Sequence, residues 1–141
     1  MSGTLKPALI IFLIWPLAVA ASARDTSVGT GWSRAPDLSV YGALVLSSEL
    51  AQEQEMLCRG RNPALVEDEW RAAYAARQAW IADAMTRRYG ASAVARAAGV
   101  RVGRLTCPTL SDRSWRRHHE RMLRLLELRL VPRDHFRRPA P

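Results

Sequence analysis

The sequence predicts an all-α domain, a small bundle of three long helices with a short fourth, stapled by one disulfide. Three observations carry this expectation. Apolar residues recur at helical spacing in three long segments, each opened by capping residues and closed by Gly or Pro. No stretch alternates apolar and polar residues for long enough to make a competing strand. Two cysteines, Cys58 and Cys107, stand in different segments, and two cysteines permit a single intramolecular pairing. At 141 residues there is room for one domain, which excludes large catalytic architectures.

Residues 1–23 read as a Sec-type signal peptide. Lys6 supplies the positive charge, Ala8 to Ala20 is an unbroken apolar run, and Ala21-Ser22-Ala23 offers the small residues that a signal peptidase reads. The run is shorter than the roughly 20 residues that span a bilayer and contains Pro16, so cleavage near Ala23 is expected in place of a permanent anchor. No cysteine follows the run and no Arg pair precedes it, which sets aside the lipoprotein and twin-arginine routes. The expected location is the periplasm or the exterior, an oxidising compartment in which Cys58 and Cys107 pair. Closing a loop of about 50 residues is worth roughly 4 kcal/mol in the chain-entropy model.

Residues 24–36 are polar, Gly-containing and aperiodic, a flexible leader. The helical domain is expected over 37–131. Asp37 or Ser39 caps a first helix that runs to about Cys58, with Val40, Ala43, Ser47, Leu50, Ala51 and Leu57 inward and Glu49, Glu53 and Glu55 outward. Asn62-Pro63 starts a second helix, since Asn accepts from free amides and Pro has its φ preset; this helix runs to Gly90. Its stripe is Val66, Trp70, Ala73, Tyr74, Trp80, Ile81 and Ala84, with Arg77 in the middle. Glu67, Asp68 and Glu69 early and Arg87 and Arg88 late suit the helix dipole. Ser92 to Ala98 is the short helix, followed by an irregular connection from Val100 to Pro108. Ser111 or Asp112 caps the last helix, whose core face holds Trp115, His119, Met122, Leu123, Leu126 and Leu130; Val131-Pro132 ends it, and 132–141 form a basic tail.

Lys6 is the only lysine, so the mature chain has none, which rules out Schiff-base chemistry and a GK[ST] phosphate loop. There is no G-x-S-x-G, CxxC, CxxCH or HExxH; His119-Glu120 is followed by Leu123 where a zincin needs its second His. No cofactor and no metal are expected. A soft ion between His118 and Met122 would need a third ligand, with Met56 or Met85 the remote candidates. Arg77 within an apolar stripe needs a carboxylate, for which Glu49 and Glu53 are the candidates, or a ligand anion.

Charge is concentrated at the C-terminal end. From Arg113 to Arg138 nine arginines face Glu120, Glu127 and Asp134, a net of +6, whereas Arg24 to Asp112 nets +1. The stretch RAAYAARQAWIADA is similar to the Trp-containing helix of periplasmic lysozyme-inhibitor-like domains over about a tenth of the chain, without the cysteine that follows the Trp there, and nothing is carried over from it. The expected function is a non-enzymatic exported interaction module. Its basic last helix and tail, through Arg116, Arg117, Arg121, Arg124, Arg137 and Arg138, would bind an acidic protein or an anionic envelope surface. Nucleic acid is not an expected partner, because export removes the chain from it and no nucleic-acid fold signature is present. The rival expectation is a small-molecule or metal binder with a site between helices that includes Arg77, Trp80 and His118 or His119; an all-helical enzyme built from scattered side chains comes third.

Overall fold

A computed structural model describes residues 31–111 and 113–132. Among them are five helices and no strand: α1 (Asp37–Glu53), α2 (Pro63–Tyr89), α3 (Ala91–Ala98), α4 (Cys107–Leu110) and α5 (Trp115–Leu130). The fold is all-α, as the sequence predicts. The proposed signal peptide, most of the leader and the tail beyond Pro132 lie outside the described residues. No helix of the described residues is long and apolar enough to cross a membrane.

α1 and α5 make the most extensive helix pair, with α2 laid on α5 and α3 closing over α1 and α2. The core forms where these faces meet: Val40 and Leu44 of α1, Ile81 and Met85 of α2, and Met122, Leu123 and Leu126 of α5 are fully or almost fully buried. Burying such side chains supplies about 1.5–3 kcal/mol each, the main favourable term in a domain this small.

The first helix reaches Cys58 as expected, but its last turn, Gln54–Cys58, widens to a π-helix. This turn meets α4: Cys58 is bonded to Cys107, with Cα atoms 5.0 Å apart, and Gln54 Nε2 donates to the Leu110 and Arg113 carbonyls at 2.7 and 3.1 Å. α2 starts as predicted, with Asn62 Oδ1 accepting from the Ala64 amide at 2.9 Å and Pro63 at the first position. Between α2 and α3 the chain turns at Gly90, whose φ of 85° favours glycine.

Several local expectations are corrected. Asp37 does not cap α1; it is the first helical residue after Pro36, and its carboxylate accepts instead from Tyr89, Arg88 and Arg129. α4 occupies the end of the supposed irregular connection, so α5 starts later and is capped by Ser114, whose Oγ accepts from the Arg117 amide, and not by Ser111 or Asp112. On α2 the buried stripe is narrower than expected: Trp80 is 39% exposed and Ala73 is also exposed, while Met85 is fully buried. Leu57, placed inward by its spacing, is 49% exposed on the π-helical turn.

Candidate functional site: the outer face of helix α5

α5 begins from Ser114 and inserts His119, Met122, Leu123, Leu126 and Leu130 into the core. Its exposed positions are then Arg116, Arg117, Arg121, Arg124 and Leu128. At 100° per residue, Arg117, Arg121, Arg124 and Leu128 share an arc of about 60°, and Arg116 stands to one side. There its guanidinium lies over the Trp70 ring, 5.6 Å from the centroid.

The two acids of α5 are turned toward α2. Glu127 takes a two-point ion pair from Arg77, Nε to Oε1 at 2.6 Å and Nη2 to Oε2 at 2.8 Å, and Glu120 Oε1 accepts from the Tyr74 hydroxyl at 2.8 Å. Hydrogen bonding from Arg77 holds the Glu127 carboxyl below its ordinary pKa, and the same bond holds Arg77 above its own. Arg77 therefore has a carboxylate partner, but it is Glu127 and not Glu49 or Glu53. Those two lie on α1, and α2 turns this flank toward α5. Trp80 follows one turn after Arg77 on α2, and Leu128, 78% exposed, follows Glu127 on α5.

Arg129, also on α5, faces inward. Its Nη1 donates to the Ala35 carbonyl and to Asp37, and its Nη2 to the Trp32 and Ser33 carbonyls, all at 2.7 to 3.0 Å. This clamp fixes the segment before α1 against the C-terminal half of α5. Burial raises the Asp37 pKa, but hydrogen bonds from Tyr89, Arg129 and Arg88 outweigh it and leave the pKa below its usual value.

His119 is fully buried. Its Nδ1 lies 3.1 Å from the Leu44 carbonyl and 3.3 Å from Ser47 Oγ, and its Nε2 lies 3.1 Å from Gln78 Nε2. The carbonyl accepts only, so Nδ1 carries the proton and Nε2 accepts from Gln78. The ring packs against both Trp70 and Tyr74, with centroids 4.9 and 5.0 Å away. Burial lowers its pKa to about 4, the Leu44 hydrogen bond opposing and the Arg77 charge assisting. Both nitrogens are thus committed inside the protein. His118 is half-buried beside Trp32 and Trp115 and is lowered by burial and by the charges of Arg121 and Arg113. Among the described residues no group of three His, Cys, Asp or Glu could hold a metal ion.

Of the expected site residues, Arg117, Arg121 and Arg124 are brought into one row, Arg116 beside it; Arg137 and Arg138 lie outside the described residues. Sequence reasoning missed Gln78, Ser48 and Arg129. A signal existed for Gln78: with its wheel position beside Tyr74 and Ile81, it is a polar residue at the edge of a core stripe and needs a polar partner. Comparison with protein-family models, with curated proteins and with solved structures finds no match, so the geometry alone carries the functional reading.

Proposed function

We propose that this protein is a non-enzymatic interaction module of the cell envelope, exported by its N-terminal segment, that seats the outer face of α5 on an anionic membrane surface. One observation carries this reading: the charged residues exposed on α5 are all arginines, because Glu120 and Glu127 are engaged by α2. A row of guanidiniums matches phosphate-bearing headgroups, at about 1 kcal/mol per arginine near an anionic surface. Leu128, at the end of the row, and Trp80, an aromatic side chain open to water on the neighbouring helix, add the apolar contact that interfacial binding also uses. The Cys58–Cys107 disulfide supports an oxidising compartment.

Co-sedimentation with vesicles tests the reading. The oxidised protein is expected to bind anionic vesicles, to release them as salt is raised, and to ignore zwitterionic ones. Replacing Arg117, Arg121 and Arg124 together by Glu is expected to lower anionic-vesicle binding more than tenfold, and Leu128→Asp to lower it less. Absence of binding to anionic vesicles at low salt overturns the proposal. Equal, salt-sensitive binding to soluble polyglutamate transfers the same face to an acidic protein partner.

A further inference from the structure

α1 and α3 line an open groove of about 540 Å³ that plays no part in the reading of α5. Its shape follows from residue size. Gly42 lets the helices close on each other: a Cβ there would lie 2.8 Å from the Ala97 carbonyl oxygen. Ala43, Ala93 and Ala97 keep the approach narrow, while Trp32, Leu38, Leu46 and Val100 stand around it as larger walls. Along α1 the slot spans the two turns from Leu38 to Leu46, roughly 12 Å. Trp32 is held in place at its backbone, since Arg129 Nη2 grips its carbonyl at 2.9 Å.

The lining is apolar except for Ser39 and Arg96, and Arg96 carries its only charge. Val100 leaves half its surface open to water, so the groove presents apolar area that an occupant could bury. An elongated apolar slot with one guanidinium beside it complements a molecule with one straight hydrocarbon chain and one anionic head. A neutral apolar ligand would leave the cation unused. An ordinary salt or sugar would leave the slot wet. The volume also lies within the range of small-molecule sites.

We propose that the α1–α3 groove binds a single-chain fatty carboxylate, its chain along Leu38, Leu46, Ala93, Ala97 and Val100 and its carboxylate on the Arg96 guanidinium. A planar guanidinium can meet both carboxylate oxygens at once, which gives the head a fixed orientation.

Titration calorimetry of the disulfide-bonded protein with decanoate, below its micellar range, tests this. One saturable site is expected, and decanol should bind at least tenfold more weakly because it lacks the charge. Arg96→Glu should weaken decanoate binding at least tenfold. Ala93→Phe should abolish it by filling the slot. Because a large side chain at half-buried Ala93 also stresses the helix pair, Val100→Glu, at a half-exposed position, is the second variant, and it too should weaken binding tenfold. The Arg117, Arg121 and Arg124 to Glu variant should bind decanoate normally. No saturable binding up to about 1 mM, a free energy of only about −4 kcal/mol, overturns the proposal. So does equal affinity for decanol, or a loss on changing α5 with none on changing Arg96, which would move the carboxylate to the α5 face.

Discussion

His119 illustrates what a single buried residue contributes. Its imidazole joins three helices: it sits on α5, donates to the Leu44 carbonyl of α1, and accepts from Gln78 of α2. Ser48 extends the network, accepting from Trp70 Nε1 at 2.8 Å. The network requires the neutral ring. In the unfolded chain a histidine takes up a proton near pH 6.5, whereas folded His119 does so only near 4. Between these values the unfolded state binds more protons, so the stability present above pH 6.5 is lost as pH falls toward 4. The full span corresponds to about 3 kcal/mol. Urea titrations between pH 7 and pH 5, above the range in which carboxylates protonate, are expected to show stability falling with pH, and His119→Gln should flatten most of that slope. An unchanged slope in the variant would assign the dependence to another group, His118 being the other lowered histidine. At this scale the sequence was only half legible. Arg77 was visible in its apolar stripe as a residue that needs a partner, and His119 only as a member of the core face. Which partners they find depends on which helices lie side by side, and a wheel drawn for one helix carries no such information. Arg77 therefore met Glu127 and not an acid of α1.

At the scale of elements, the long helices were legible because their stripes and boundaries agree. Asn62-Pro63 and Gly90 bound α2 as read. The misreadings are where tertiary packing chose among equivalent local signals. Three polar residues, Ser111, Asp112 and Ser114, stood before the last helix, and α4 decided the matter by using the first as its own end. Trp80 was drawn into the core because a wide stripe could include it, yet only the narrow arc of Val66, Trp70, Tyr74, Ile81 and Met85 is buried. The contact between α1 and α3 was not legible, because Gly42 reads as a weak point in a helix when taken alone. In the structure it is a point of close approach to the Ala97 carbonyl of α3. Gly42→Ala is accordingly expected to destabilise, although alanine is the better helix former by up to about 1 kcal/mol. The added Cβ would meet a backbone oxygen at 2.8 Å, and a backbone cannot rotate away as a side chain can. Overpacking of this kind costs about 1–3 kcal/mol, so a lower thermal midpoint is expected. A raised midpoint would mean that α3 moves aside freely and that the groove has no fixed floor.

Over the whole molecule, the disulfide joins the two ends of the bundle's longest excursion. The chain leaves the π-helical turn after α1 at Cys58, builds α2 and α3, and returns at Cys107, the first residue of α4 ahead of α5, 49 residues later. α1 and α5 are the principal helix pair, so the bond closes the loop beside the contact that organises the core. Gln54 reinforces the same junction with its two hydrogen bonds to the Leu110 and Arg113 carbonyls. Constraining the unfolded chain by such a loop is worth about 4 kcal/mol in the chain-entropy model, and 2–4 kcal/mol is the usual measured return. Against a total stability of about 5–15 kcal/mol, that is a large share. The double variant Cys58→Ser, Cys107→Ser is therefore expected to remain helical at room temperature, through the α1–α5 core, and to melt at least 10 °C lower, on the order of 4–8 °C per kcal/mol for about 100 ordered residues. Circular dichroism measures both quantities on one sample. The vesicle binding proposed for α5 should survive in this variant while it is folded, because Arg117, Arg121 and Arg124 are aligned by one helix and need no second element to set their spacing. An unchanged midpoint would show that Gln54 and the core already hold the junction. Loss of vesicle binding in a variant that is still folded would mean that α5 depends on its tie to α1 to present its face.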